Sequence, residues 1–516
     1  MSVDELLSFV RAWLPERSPM SPSHEGLARA ITEVVANTPE RYADRAADFA
    51  GLDPTYVRAI LNGFENALRE KRYFSWASVI TLAGWLMLQP VGLDEPATGA
   101  SLDQDSDFRP ARKAVASLLK RGLALRDSGG PPLEERERLW EVTRRLAQDM
   151  NPSREYEARW GGENMDPATL ALNTVRPSAI TAAIAYAFWV NHHINGLEQP
   201  IGMEAVPELR ELLERTLDPG QDPSPAVRAA IGYELGQLIW FDDAWVKRVQ
   251  DLFFPMGAEL LPLRLALFDT FLKYGWKSPK VVETVPEEYR AAILRAGLDR
   301  GTPRRDQPDN ELADHLMTLY WWGVLPLIGE PGLIRMFFSV VPAEFRKRAI
   351  HYVGWSLFQT QKPVEPESFT RLRDLWEWRT AELQKGIASA DEASGARGEL
   401  SEYGWWFASR AFDLGWALAQ LQVVLRHIGS VEWAHEVARY LADVVDERPR
   451  DVIDTLALFD PTGGADLRSV HYWLDHATNI LRRCLSDDDP SIRESATQLI
   501  HRWVAHGHLR LRDLLG

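Results

Sequence analysis

Asp222-Pro223-Ser224-Pro225-Ala226-Val227-Arg228-Ala229-Ala230 returns later in the chain as Asp487-Asp488-Asp489-Pro490-Ser491-Ile492-Arg493-Glu494-Ser495-Ala496. In both stretches an aspartate stands six residues before an arginine, and the arginine follows a β-branched residue. A carboxylate is stabilised near the free amides of a helix N-terminus, and a guanidinium can bridge turns between layers with its planar fork of donors. Each stretch therefore reads as a turn running into the second helix of a hairpin.

Around these stretches nearly every segment carries a helical period. Strict polar/apolar alternation bounded by turn signals is missing, so the fold class is all-α. At Asp53-Pro54 the aspartate can cap free amides and the proline suits the first helical position. Val57, Ile60, Leu61, Phe64 and Leu68 then form one apolar stripe. A second helix begins near Ser75 and closes at Gln89-Pro90-Val91-Gly92, which completes a hairpin. The spacing predicts further helices over 132–149, 177–195, 207–217, 225–240 and 243–254. In the second half it predicts them over 310–326, 342–358, 368–386, 413–427, 431–446, 470–485 and 490–505. Polar stretches at 92–107 and 127–132 read as loops, and the small, polar run 386–401 reads as a mobile loop or a partly helical linker.

A helical hairpin cannot bury its apolar face alone and must stack on a neighbour of similar shape. The two aspartate–arginine stretches resemble the HEAT repeat, in which the aspartate sits in the turn and the arginine reaches an aspartate of the same or adjacent repeat. That resemblance implies a HEAT-like α-solenoid of stacked helical hairpins and assigns a structural ladder to Asp222, Arg228, Asp487 and Arg493. Val175-Arg176-Pro177-Ser178-Ala179 looks like a third, degenerate copy, with Leu170 where the aspartate belongs. A tetratricopeptide array would show a regular 34-residue spacing of small and aromatic positions, which is absent. The expected organisation is an N-terminal helical region over 1–150, HEAT-like repeats over 151–386, a loop or hinge over 387–400 and C-terminal HEAT-like repeats over 401–516.

The 516 residues exceed what one ordinary core requires, which fits an extended repeat array or several domains. With 74 acidic against 58 basic side chains, the net charge of −16 repels a phosphate backbone, so nucleic acid is not the expected partner. A single cysteine, Cys484, rules out an intramolecular disulfide and a thiolate-rich zinc site. The acidic start Met1-Ser2-Val3-Asp4-Glu5 is unlike a signal peptide, and the apolar stretches near 79–90 and 180–190 are too short to cross a bilayer. A reducing, cytoplasmic location away from membranes is the expectation.

Asp166 to Arg176, Ala349 to Trp355, Leu375-Trp376-Glu377-Trp378-Arg379 and Tyr403-Gly404-Trp405-Trp406-Phe407 are similar to segments in C-terminal helical regions of prokaryotic signal-transduction NTPases, including NACHT-type proteins of antiphage defence. In that family such regions sense a foreign protein or hold an assembly together. The resemblance implies a detached sensor or scaffold, because no G-x-x-x-x-G-K-[ST] loop is present to hold a nucleotide. H-E-x-x-H, G-x-S-x-G and dinucleotide-binding motifs are also absent, so no catalytic residue, cofactor or metal ligand is assigned. Metal readings of His192-His193 and of Glu311 with His315 lack the partners a site needs. Asp242-Asp243 and 487–489 read first as turn caps and solvated loops rather than as an acid/base pair.

Twenty tryptophans suit hairpin seams and binding hot spots alike. Trp405, Trp406 and Phe407, beside the expected hinge, are the candidate contact for a protein partner. A non-enzymatic scaffold or sensor is the leading expectation, with the oligomeric state open. The alternative is a HEAT-like enzyme of the glycosylase type acting on nucleic acid, which requires a basic concave groove with a central carboxylate.

Overall fold

The computed structural model describes residues 2–14, 22–90, 104–126, 129–162, 164–196, 199–298, 308–360, 365–385, 390–460 and 467–515. Among these residues there are 27 α-helices, five short 3-10 helices and no strand, so the chain is all-α. None of the described helices is long and apolar enough to cross a membrane. The chain divides into two compact units, Met1–Thr284 and Val285–Gly516.

Unit 1 contains α1 (Val3–Ala12), α2 (His24–Asn37), α3 (Pro39–Ala43), α4 (Pro54–Arg69), α5 (Ala77–Leu86), α6 (Arg109–Ala124), α7 (Arg136–Leu146) and α8 (Arg154–Trp160). It continues with α9 (Pro167–Asn173), α10 (Val175–Asn195), α11 (Pro207–Leu217), α12 (Pro225–Arg248), α13 (Gln250–Phe253), α14 (Leu261–Tyr274) and α15 (Pro279–Thr284). A recurring N-terminal device sets several of these helices: Asp53, Asp166 and Ser224 each accept a backbone N–H of the first turn, and a proline follows each cap. Helices α2, α4, α6, α10, α12 and α14 form a row in which each packs on the next. Helix α12 is apolar on most of its circumference because it is enclosed by α9, α10 and α14. Gly232 and Gly236 lie one turn apart on α12, where a Cβ would run into the carbonyls of Leu267 and Trp276. Their absent side chains let the backbones approach.

The sequence reading separates 225–240 from 243–254, and the structure shows why the join is continuous in outline but broken in backbone. Asp242 leaves helical geometry at φ −161° and ψ 86°, and its carboxylate accepts from Trp245 N at 2.8 Å and Met203 N at 2.9 Å. Asp242 is thus an internal cap. Its neighbour Asp243 pairs with Lys247 and Lys280.

Unit 2 contains α16 (Pro286–Leu298), α17 (Pro308–Trp321), α18 (Leu333–Val340), α19 (Ala343–Gln359), α20 (Pro366–Lys385) and α21 (Ala390–Ser401). After these come α22 (Tyr403–Ala408), α23 (Leu414–Ile428), α24 (Ala434–Val444), α25 (Pro449–Leu456), α26 (Leu467–Leu485) and α27 (Pro490–Ala505). Two rows of neighbours run through it, α17–α19–α22–α24–α26 and α20–α23–α25–α27. The expected loop or hinge over 387–400 begins on residues outside the described ones, 386–389, and from Ala390 onward is helix α21. Glu399 of that helix is fully buried and is held by the Arg379 guanidinium at 2.7 and 3.0 Å and by Arg346 at 3.1 Å. This end of α21 is therefore anchored in unit 2.

Candidate functional site

The ladder residues belong to two different kinds of contact. Asp222 does meet an arginine of another copy: Arg176 Nε lies 3.0 Å from Asp222 Oδ2, and both side chains are mostly buried. The degenerate copy thus supplies the arginine of a rung whose aspartate comes from the next copy. Leu170, at the position where its own aspartate is missing, is buried in the seam between α9 and α12 beside Ala171, Ala226 and Ala230. A carboxylate there would be desolvated without a partner. Although Arg176 pulls the Asp222 carboxyl down, burial outweighs it and holds that carboxyl above its ordinary value.

Arg228 departs from the expected ladder. Its buried guanidinium donates to the carbonyls of Leu252 (2.5 Å), Phe253 (3.4 Å) and Leu217 instead of to a carboxylate. It therefore closes the C-terminal ends of α11 and α13, where unpaired carbonyls collect. Burial draws Arg228 down to about 10, which leaves it charged at neutral pH. In the second copy, Arg493 donates to the carbonyls of Asp487 (2.6 Å) and Asp488 (2.9 Å) within its own turn. The Asp487 carboxylate accepts from Asp489 N at 2.8 Å, and Asp489 caps α27. These carboxylates are turn and helix caps.

The expected partner contact at Trp405, Trp406 and Phe407 requires correction, because all three side chains are buried. Trp406 is fully enclosed and donates its indole N–H to Ile350 O at 2.8 Å, while Trp376 stacks on Tyr403 with centroids 4.7 Å apart. Gly404 brings this short helix against the backbone of Glu432 so closely that a Cβ would collide with its carbonyl. The side chains that reach solvent are neighbours of Trp405. Trp355 (41% exposed) meets it edge-on at 4.9 Å, and Trp433 (37% exposed) lies at 4.0 Å. Trp433 occupies the left-handed region at φ +56°, unusual for a bulky residue. Sequence reading missed both because isolated tryptophans on helical stripes look like core.

A second site has more chemical definition and lies wholly within unit 1. A cleft of about 430 Å³ opens where α6, α9, α10, α12 and α14 meet, and its base is Ala116, Ala171 and Ala230. Three adjacent helices each present polar residues roughly one turn apart: Ser117 and Lys120 on α6, Ser178 and Thr181 on α10, Glu234 and Gln237 on α12. Glu234 is nine-tenths buried and pairs with Lys120 Nζ at 2.7 Å; the Gln237 amide also donates to it. Tyr233 stacks on the half-exposed Tyr274 at 5.1 Å to form one wall. The Tyr233 hydroxyl is buried and meets no hydrogen-bond partner among the described residues. Burial, then the proximity of Tyr274 and Asp166, pushes it up to about 12, so it remains a proton donor at neutral pH. No motif announces this site, since its residues come from positions 116–274 and are ordinary helix-surface types.

Among the described residues no group of three or more His, Cys, Asp or Glu side chains could hold a metal ion. Cys484 is buried, which pushes its thiol up to about 11. No family model and no curated protein matches the chain. Among solved structures, an engineered protein aligns over 92% of this chain and 98% of its own at 11% identity, with a TM-score of 0.30 that carries no structural argument.

Proposed function

We propose that this chain is a non-enzymatic, HEAT-like α-solenoid scaffold or sensor that binds a protein partner, in the setting of prokaryotic antiphage defence or signalling to which its tryptophan-rich segments are similar. The observation that carries the reading is the row α2–α4–α6–α10–α12–α14, in which the Arg176–Asp222 rung ties α10 to the turn before α12. Such a row presents a long surface built from side chains of many helices, which suits recognition of another macromolecule more than enclosure of a small substrate. On that row the cleft between α2 and α4 is lined by four carboxylates (Glu25, Glu33, Glu65, Glu70) against three guanidiniums (Arg29, Arg58, Arg69). This balance gives a phosphate backbone no net attraction and favours a protein over nucleic acid.

The test is affinity purification of the tagged chain from its native host, with and without phage infection, followed by reconstitution of any captured complex from purified components. A stoichiometric complex that survives reconstitution supports the scaffold. Recovery of the free chain alone under both conditions counts against it.

A further inference from the structure

We propose that another cleft of unit 1 receives a short anionic stretch of the partner polypeptide, with Arg154 and Arg215 holding its carboxylate or phosphate groups. This rests on the scaffold reading and names the part of the partner that is recognised. The cleft, of about 440 Å³, opens where the turn after α7, the first turns of α8 and α10, the last turn of α11 and the turn before α12 meet. Each carboxylate lining it is engaged by a group other than these two arginines. Asp149 pairs with the buried Arg112 at 2.6 Å and accepts from Asn151 N at 2.8 Å. Asp222 pairs with Arg176 and accepts from Ser224 N at 3.2 Å. Glu155 turns back onto the Ser153 hydroxyl and its own amide at the start of α8, and the charge of Arg154 is the least of the influences on it. Arg154 and Arg215 are exposed, and their side chains make no hydrogen bond or ion pair with any described residue. Three arginines line the cleft against three carboxylates, but Arg112 neutralises Asp149 from behind, so one positive charge is left in excess.

The open groups are those an oxyanion needs. Each free guanidinium offers a planar fork of donors that matches two oxygens of a carboxylate or phosphate. Thr216, nine-tenths buried, also lines the cleft; its hydroxyl has no hydrogen-bond partner among the described residues and is not among the atoms sealed from solvent, so it can donate to the same anion. Size and lining choose among anions. The volume of about 440 Å³, against roughly 30 Å³ for one water, holds more than a lone inorganic ion, and Met150, Pro152 and Pro223 supply apolar surface for the residues flanking the charge. No aromatic ring lines the cleft for a base to stack on, and a long polyanion leaving it would meet a chain of net charge −16. A few acidic or phosphorylated residues escape both objections.

The experiment uses the purified full chain and an array of short peptides in matched sets carrying glutamate, phosphoserine or glutamine at the same positions, with inorganic phosphate and a single-stranded oligonucleotide as separate probes. Arg154→Gln and Arg215→Gln each remove one fork, and Thr216→Val removes one hydroxyl; circular dichroism checks that each melts with wild type. Arg159→Gln is the control, because it removes the same charge from α8 outside the cleft. Expected are glutamate or phosphoserine peptides that wild type binds and refuses in their glutamine form. Arg154→Gln and Arg215→Gln should each weaken them about tenfold or more, Thr216→Val about threefold, and Arg159→Gln less than about twofold. The set bound more tightly assigns the group as carboxylate or phosphate. Anionic peptides bound equally by all the variants, no anionic peptide bound at all, or the oligonucleotide or inorganic phosphate bound in their place would overturn the inference. A reconstituted partner held equally by wild type and the Arg154→Gln, Arg215→Gln double variant refutes the anion cleft and leaves the scaffold standing, whereas failure to obtain any partner refutes the scaffold itself.

Discussion

Arg228→Met tests whether one buried guanidinium holds two helix ends in place. Arg228 donates to the last residue of α11, Leu217, and to Leu252 and Phe253 at the end of α13, the Phe253 contact being long at 3.4 Å. Each of the two shorter bonds comes from a charged donor, and its loss leaves a buried carbonyl unpaired at about 1–3 kcal/mol. Relief of the buried charge and the apolar methionine stem offset part of this, about 1–2 kcal/mol. Mid-range values of these terms leave a net destabilisation of about 2.5 kcal/mol. For a unit of this size about 1 kcal/mol moves the melting temperature by roughly 2 °C, so unit 1 should melt roughly 5 °C lower. Arg493→Met is the control, because that arginine occupies the same sequence position but lies at a partly exposed turn where water can replace it. Its cost should stay below about 1 kcal/mol. Thermal melting of the full chain followed by circular dichroism at pH 7 reads both. If Arg228→Met melts with wild type or with Arg493→Met, burial does not set the worth of this arginine and the argument fails.

Three further outcomes are expected. Trp406→Ala should cost about 3–5 kcal/mol in urea unfolding because it empties a fully enclosed site, whereas Trp355→Ala, at the surface, should stay within about 1 kcal/mol; equal effects would contradict the burial described. Glu399→Gln should cost about 3–5 kcal/mol, since it leaves the buried Arg379 without its counter-charge, and a double replacement Arg379→Met with Glu399→Leu should cost less than the sum of the two single changes. Strict additivity in that cycle would show that the pair is not coupled. The Cys484 thiol, raised from 9.0 to about 11, should carry about 100-fold less thiolate than an unperturbed thiol near neutral pH. Ellman's reagent should therefore label the native chain at least that much more slowly than the unfolded chain, and comparable rates would place the thiol at the surface.

About half of the helices were legible because each of these carries its own signals, whereas α2, α6 and α14 of the unit 1 row were not read as helices. The predicted helices at 207–217 and 490–505 coincide with α11 and α27, and Asp53-Pro54 opens α4 as its cap and proline require. The run 390–401 was legible only as a mobile loop or a partly helical linker: its alanines, serines and glycines have the composition of a linker, and it becomes α21 in a setting where Glu399 is paired between Arg379 and Arg346. The tryptophan pair at 405–406 was visible and suited a hairpin seam as well as a partner contact, but the choice between the two was not legible, since a single sequence contains no record of which helix covers which face.

What the sequence by itself determined is local. Helical periodicity, caps and prolines establish an all-α chain, and the spacing of Asp222 from Arg228 marks the turn before α12. Which acceptor each arginine reaches was decided only by tertiary packing. Arg176, the degenerate copy's arginine, found Asp222 because α10 and α12 lie side by side, and Arg228 found carbonyls because α11 and α13 end around it. The cleft was likewise decided by packing, since Lys120 and Glu234 are 114 residues apart and meet only where α6, α10 and α12 bring them to one surface. The physical reason is range: caps and stripes act within one or two helical turns, whereas charge pairing and desolvation depend on neighbours that the chain supplies from a hundred residues away.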